Sequence, residues 1–356
     1  MCIYLYLANG QNECLSQKQL PSGWPSRSIS HPSKYSELTH PGQTILITGG
    51  SQGMGKSVAQ QLARKGANVM IAARTTKKLE AALEDIKACA KRPSQRFHYI
   101  SADLTNPSEA VRLISETTKW NNNTPPDIVW CCAGSSCPTL FIDTPVERLK
   151  EQMDSNYFSS AYVAHAVLRS WLKPSSAEKQ APSPSSDFPR HIIFTSSVVA
   201  FYPIVGYSPY SPSKSAIRTL SDTLSQELHL YPSPGVKVHT VFPATIFGEA
   251  FDEENRVKPN ITKKLEEEDG GQTADQVAEA SLKGLEKGDE LITTNGLLGM
   301  AMKGGMLGAS RRNGWGVVDT LVAWVVAIVI VVVRRDMDGK VKKWGGVYRD
   351  GGMDRI

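Results

Sequence analysis

The sequence predicts an α/β fold: a doubly wound parallel sheet of about seven strands, followed by a hydrophobic membrane anchor near the C terminus. Three observations carry this expectation. Short apolar, β-branched runs alternate with helix-period patterns from residue 43 to about 295. The first such run, Ile45-Leu46-Ile47, passes into Thr48-Gly49-Gly50-Ser51-Gln52-Gly53-Met54-Gly55, and a helical pattern follows at once. Far downstream, Val317–Val333 is almost wholly apolar and carries no charge from Leu321 onward.

In chain order, residues 1–40 read as a disordered tail, rich in Gln, Asn, Ser and Pro after a short apolar opening that lacks the basic flank of a signal peptide. The domain proper spans 41–296. Thr44–Thr48 is the first strand and 55–66 the first helix, stopped by Gly66. Asn68–Ala73 is the second strand. Thr76–Lys91 is a helix, with Leu79, Leu83 and Ile86 on one face. Phe97–Ser101 is the third strand, Pro107–Lys119 a helix capped by Ser108, and Asp127–Cys132 the fourth strand. Glu147–Leu172 is one long helix or two in tandem. Pro, Ser and charge dominate 174–189, which reads as a disordered surface insertion. His191–Thr195 is a strand, Ser213–Tyr231 a helix and Val236–Phe242 a strand. The acidic stretch 249–271 reads as loop and short helix. Thr273–Leu285, with Thr273 as cap, is a helix and Glu290–Thr294 a last strand.

The net charge of +5 is modest, and the basic residues do not gather into one patch, so no nucleic acid partner is expected. Nor does any spacing suggest a metal site. The six cysteines form no C-x-x-C pair, and three of them (Cys131, Cys132 and Cys137) crowd one apolar segment. This is the usage of a reducing compartment rather than of a disulfide framework.

Two stretches carry chemistry. The glycines at 49, 53 and 55 let the backbone turn tightly and approach a ligand. The helix behind them presents unpaired N–H groups, which suits a pyrophosphate. In Tyr210-Ser211-Pro212-Ser213-Lys214, the four-residue step sets a phenol and an ammonium on one helix face. A nearby cation stabilises phenolate, so the expectation is a lowered Tyr210 pKa. Pro212 demands that this be the first turn of the helix. Tyr207 is the rival phenol, but no cation lies four residues on. Thr195-Ser196-Ser197 closes a strand at the sheet edge where ligands gather, and a serine there can bind a carbonyl oxygen. The second strand ends at Arg74, with Lys77 and Lys78 beyond and no acid to hold a ribose 2′-OH. Arg74 can instead pair with a 2′-phosphate, so NADPH is the expected cofactor.

In these parts the chain resembles the short-chain dehydrogenase/reductase family: TGGSQGMG at 48–55, Asp103 in SADL, Cys132-Ala133-Gly134, Asn156, Ser197 and the Tyr210/Lys214 pair, in family order over 43 to about 295. The resemblance implies a Rossmann-like fold and carbonyl reduction with a nicotinamide cofactor. It implies Tyr210 as general acid and Lys214 as the group that tunes it and holds the ribose. Ser197, or Ser196 one place earlier, would orient the carbonyl, and Asn156 would support a relay water. Gly49, Gly50, Ser51, Gln52, Gly53, Gly55, Arg74, Lys78, Asp103 and Leu104, with Tyr210 and Lys214, are the implied cofactor contacts. A homodimer through the two long helices is also implied.

Within the family, GGSQGMGK, the segment around Asn156 and Phe251–Pro259 resemble the fungal reductases of long-chain 3-keto sphingoid bases. Where that branch has Pro-Gly after the sixth strand, this chain has Pro243-Ala244. The resemblance implies a sphingoid ketone substrate, sphingolipid synthesis, and the endoplasmic reticulum membrane with the catalytic domain facing the cytosol. Glu253-Glu254 reads as a solvated loop, the alternative being a receptor for the substrate's amine. Residues 297–356 form the membrane-associated part, with 317–333 flanked by Arg311-Arg312 and Arg334-Arg335. A single span, a hairpin returning through 297–308 and a re-entrant anchor are all open. The competing functions are another membrane-bound reductase, for a steroid, retinoid or fatty acyl ketone, and a non-catalytic NADPH-binding sensor or scaffold.

Overall fold

The computed structural model describes residues 42–172, 189–201, 203–231, 235–266 and 270–295, with Trp324, Arg335 and Gly339 beyond them. The expected N-terminal tail, the 174–188 part of the insertion and the 317–333 anchor lie outside the described residues, apart from Trp324. Among the described residues no helix is long and apolar enough to cross a membrane.

The chain runs β1 (Thr44–Thr48), α1 (Gly53–Lys65), β2 (Asn68–Ala73), α2 (Thr76–Lys87), β3 (Phe97–Ser101), α3 (Pro107–Trp120), β4 (Ile128–Cys131) and α4 (Val146–Gln152). A π-helical turn, Met153–Phe158, joins α4 to α5 (Ser159–Leu172). Then come β5 (Arg190–Thr195), α6 (Ser211–Glu227), β6 (Val236–Phe242), β7 (Ile246–Phe247), α7 (Glu249–Val257), α8 (Asn260–Glu266), β8 (Gln272–Thr273), α9 (Ala274–Glu286) and β9 (Leu291–Thr293).

Seven strands form one parallel sheet in the order β3-β2-β1-β4-β5-β6-β9. β1 is buried at every residue, as a parallel strand covered on both faces must be. One apolar layer joins Ile45, Ile47, Val69 and Ile71 to Val58 and Leu62 of α1, Leu79 of α2 and Leu282 of α9. The other joins Leu46, Val129 and Phe194 to Leu113 of α3, Val163 of α5 and Ile217 of α6. Strand order reverses between β1 and β4, so a crevice opens beyond their carboxyl ends.

Several boundaries differ from expectation. α1 begins at Gly53, inside the glycine turn. α2 stops at Lys87, where Cys89 N–H and Ala90 N–H donate to carbonyls three residues back and tighten the last turn before Pro93. The cap of α3 is Asn106, whose Oδ1 accepts from Ser108 N–H at 3.0 Å, and not Ser108 itself. Pro107 needs no N–H partner at the first helical position, which sets the cap one residue earlier. α6 starts at Ser211, two residues before the expected Ser213, with Pro212 in its first turn. The stretch after β6 is not mainly loop: it folds into β7, α7 and α8, and β7 pairs with β8.

Candidate active site

The cofactor cradle is built from the β1–α1 turn. Gly49 has φ +68°, and a Cβ there would lie 2.8 Å from the Ala133 nitrogen. At Gly55 a Cβ would run into the carbonyl oxygen of Gly49. Only glycine lets this turn fold back against the β4 loop, where Ala133 N–H donates to Thr48 Oγ1 at 3.2 Å. Gln52 precedes α1 without a side-chain cap, so the first N–H groups of the helix stay available for an anion. Gly50 packs beside Ile71, with Ser51 and Gly53 completing the turn.

Beside the turn, Arg74 leaves the end of β2 exposed, and its carbonyl accepts from Ser101 Oγ at 2.9 Å. Lys78 donates to Gln52 Oε1 at 2.9 Å and lies 3.5 Å from Glu249 Oε1 at the start of α7. Both cations therefore stand at the rim of the cradle. Asp103 follows β3 and accepts from Thr105 N–H and Oγ1, and Leu104 behind it is buried.

The second group gathers beyond β4 and β5. Lys214 is buried in α6, and its Nζ donates to the Thr195 carbonyl at 3.0 Å. That Nζ lies 5.5 Å from the centre of the Tyr210 ring. Asn156 sits in the π-helical turn, fully buried rather than facing solvent. Its Oδ1 accepts from Ser135 N–H at 3.1 Å and its Nδ2 donates to Ser135 O and Gln152 O, each at 2.9 Å. Gly134 brings the two together: a Cβ there would be 2.5 Å from Asn156 Oδ1 and 3.4 Å from Lys214 Nζ.

The two serines divide cleanly. Ser196 is buried, and its hydroxyl donates to the Lys214 carbonyl at 2.8 Å. Ser197 is half-buried, caps the 3-10 turn Val198–Ala200, and shares a hydrogen bond with Tyr210.

The expected fall of the Tyr210 pKa does not occur in this structure. Burial pushes the phenol well above its ordinary range. Glu254 adds to the rise, and the Ser197 hydrogen bond opposes it. Burial also lowers the Lys214 ammonium to about 8, against an opposing effect of Cys132. Tyr210 is thereby held as a proton-bearing phenol. Cys132 is itself pushed up to about 12 by burial, which leaves it a neutral thiol.

Glu254 is not a solvated loop residue. It accepts from the Tyr207 hydroxyl at 2.7 Å and pairs at 3.0 Å with buried Lys258, which also reaches Glu266. Tyr207 is thereby engaged elsewhere and is not the free phenol of the site. Sequence reasoning also missed Thr195, which acts through its backbone carbonyl and leaves no side-chain signal. The i, i+4 spacing of Glu254 and Lys258 was the available clue to their pairing.

A glycine cradle at the switch point, with half-buried Tyr210 and Ser197 around buried Lys214 beside it, defines a nucleotide-binding α/β oxidoreductase. The short chain dehydrogenase profile matches residues 43–258. The chain belongs to that family and takes a nicotinamide cofactor. It is 50% identical over 317 residues to the 3-ketodihydrosphingosine reductase ksrA of Aspergillus fumigatus, with 85% of each chain covered. To the 3-ketodihydrosphingosine reductase gsl-3 of Neurospora crassa it is 43% identical over 305 residues, covering 85% of this chain and 82% of that one. Among solved structures, a short chain dehydrogenase/reductase from Burkholderia phymatum in complex with NAD shares the fold. Its TM-score is 0.61 at 17% identity, with 74% of this chain and 92% of that one covered.

Proposed function

We propose that this chain reduces the 3-keto group of 3-oxosphinganine to sphinganine with NADPH, a step of sphingolipid biosynthesis. We place it at the endoplasmic reticulum membrane with the catalytic domain facing the cytosol. One observation carries the substrate: 50% identity to a 3-ketodihydrosphingosine reductase across 85% of both chains.

The residues present fit the cofactor, since Gly49 and Gly55 let the turn close where a Cβ would strike backbone, and no side chain caps the first N–H groups of α1. Gly49, Gly50, Ser51, Gln52, Gly53 and Gly55 bind the pyrophosphate through N–H groups, and Arg74 and Lys78 meet the 2′-phosphate. Asp103 and Leu104 border the adenine end. When bound, the nicotinamide supplies the hydride. Tyr210 gives its phenolic proton to the ketone oxygen as charge develops there. Ser197 donates a second hydrogen bond to that oxygen and orients it. Lys214, anchored on Thr195 O, holds the ribose. Asn156 fixes the β4 loop through Ser135 and supports the path that returns a proton to Tyr210. The committed hydroxyl of Ser196 favours Ser197 as the serine of the site.

The test is an assay of the full-length protein with NADPH or NADH against 3-oxosphinganine, a steroid ketone and retinal. Turnover of 3-oxosphinganine with NADPH is expected; preference for the steroid or retinal overturns the substrate. Tyr210→Phe should lose about 10²-fold or more in turnover while still binding NADPH.

A further inference from the structure

Outside Val111 and Trp324, the exposed large hydrophobic residues of the described chain are Phe141, Ile142, Val146, Val205, Phe247 and Val257. They are not scattered. Phe141, Ile142 and Val146 follow β4, Val205 follows β5, and Phe247 and Val257 follow β6. Those three strands are neighbours, and the residues all lie beyond their carboxyl ends, on the edge that holds Tyr210 and Ser197. The segments are tied to one another there. Thr139 bridges to Tyr207, the Tyr207 hydroxyl bonds Glu254 of α7, and Thr262 Oγ1 of α8 donates to Val205 O at 2.9 Å. The Tyr207 ring is 6.1 Å from that of Tyr210. The apolar side chains thus form one rim around the substrate cleft, with Ile142 90% exposed. A clustered patch of this kind marks an interaction surface, whereas single exposed apolar residues do not.

The course of the chain points to the partner. β9 runs parallel to β6 and ends on the same edge. Thr294 is held there by Gln272 of β8, which pairs with β7 next to Phe247. Thr294 and Asn295 thus bring the described chain to this rim, and the sequence that follows carries the uncharged run Leu321–Val333. We infer that the Phe141/Ile142/Val146 and Phe247/Val257 rim rests on a lipid bilayer, so that the cleft opens into the membrane and a long-chain ketone enters without crossing water. The inference rests on the lipid-substrate reading above. Exposed charges of both signs border the rim, among them Asp143, Glu147, Arg148 and Arg256. Adhesion therefore relies on apolar insertion rather than on anionic headgroups, and phosphatidylcholine suffices as a partner.

The test compares full-length parent with the double variant Phe141→Ser/Ile142→Ser in phosphatidylcholine vesicles. The ketones are vesicle-borne 3-oxosphinganine and a short, water-soluble 2-amino-3-ketone. The variant should raise the apparent KM for the vesicle-borne ketone by about tenfold or more and leave turnover of the soluble one unchanged. Equal loss on both ketones, loss on neither, or a changed oligomeric state in the variant overturns the docking surface. A second readout is independent of activity. Tryptophan at Ile142→Trp should add fluorescence that brominated phosphatidylcholine quenches. An unquenched increment overturns the inference whatever the substrate, whereas quenching without turnover of either ketone overturns the substrate reading alone.

Discussion

A single carboxylate shapes the charge around Tyr210. The groups facing the phenol are Lys214 of α6, the Ser197 hydroxyl after β5, and Glu254 of α7, itself held by Tyr207 and Lys258. Glu254 raises the Tyr210 pKa, so Glu254→Gln should lower it while preserving an acceptor for Tyr207. Reduction needs the protonated phenol, so activity is present below this pKa and lost as pH rises through it. The Tyr210 phenol should therefore ionise at lower pH in Glu254→Gln, read as phenolate absorbance against a Tyr210→Phe control, and an unmoved titration would refute the electrostatic role. Arg74 carries a separate prediction. Losing one charge-assisted contact to a 2′-phosphate costs about 1.5–3 kcal/mol, so Arg74→Ala should raise the KM for NADPH about tenfold or more and leave that for NADH nearly unchanged. Equal effects on both cofactors would refute the 2′-phosphate contact. The Tyr210–Lys214 pair was legible because its four-residue spacing is local, whereas nothing local told Ser196 from Ser197. Glu254 was not, since an acidic run is solvated unless a cation is packed beneath it. Lys258 supplies that cation through tertiary placement of α7 against the Tyr207 loop.

At the scale of elements, the β1–α1 turn and α9 separate function from stability. Gly55→Ala drives a methyl group into the Gly49 carbonyl and should cost about 1–3 kcal/mol of stability as well as cofactor affinity. Thermal unfolding with and without NADPH checks both effects: the variant should melt lower and gain less on adding cofactor. Thr273 heads a capping box on α9, accepting from Gln276 N–H at 3.2 Å while Gln276 Oε1 accepts from Thr273 N–H at 2.9 Å. Thr273→Ala should cost about 1 kcal/mol in urea unfolding with an unchanged KM for NADPH. The Thr273 cap was readable from its sequence, as was every strand of the main sheet. Some ends were harder. Asn106 and Ser108 are both good capping residues, and only the fit of Pro107 at the first helical position decides between them. The π-helical turn around Asn156 had no periodic signature, because one extra residue in a helix scarcely changes the apolar pattern.

For the whole molecule, alternating strands and helices left little choice of topology. Helical crossovers between strands, which the chirality rule makes right-handed, lead to a parallel sheet with one reversal, and the reversal between β1 and β4 sets the crevice where both halves of the site meet. What that pattern could not disclose is a polar pair inside the sheet layers. His191 of β5 and His239 of β6 stack, with Nδ1 of the first 3.0 Å from Nε2 of the second, and His239 Nδ1 lies 2.8 Å from the Asp289 carbonyl. The chain of bonds closes with both rings neutral: His239 Nδ1–H donates to Asp289 O, and His191 Nδ1–H donates to His239 Nε2. Burial pushes His191 down to about 3, with His239 and Lys237 adding to the fall. His239 is also lowered by burial, against the opposing Asp289 hydrogen bond and Glu290. An unfolded histidine titrates near 6.5. The stability from keeping these rings neutral is thus complete above about pH 6.5 and is lost as pH falls toward the folded value. The urea midpoint should drop between pH 7.5 and about pH 5, and drop less in His191→Gln, where one of the two titrating rings is gone. An equal drop in parent and variant would locate the acid sensitivity elsewhere in the fold.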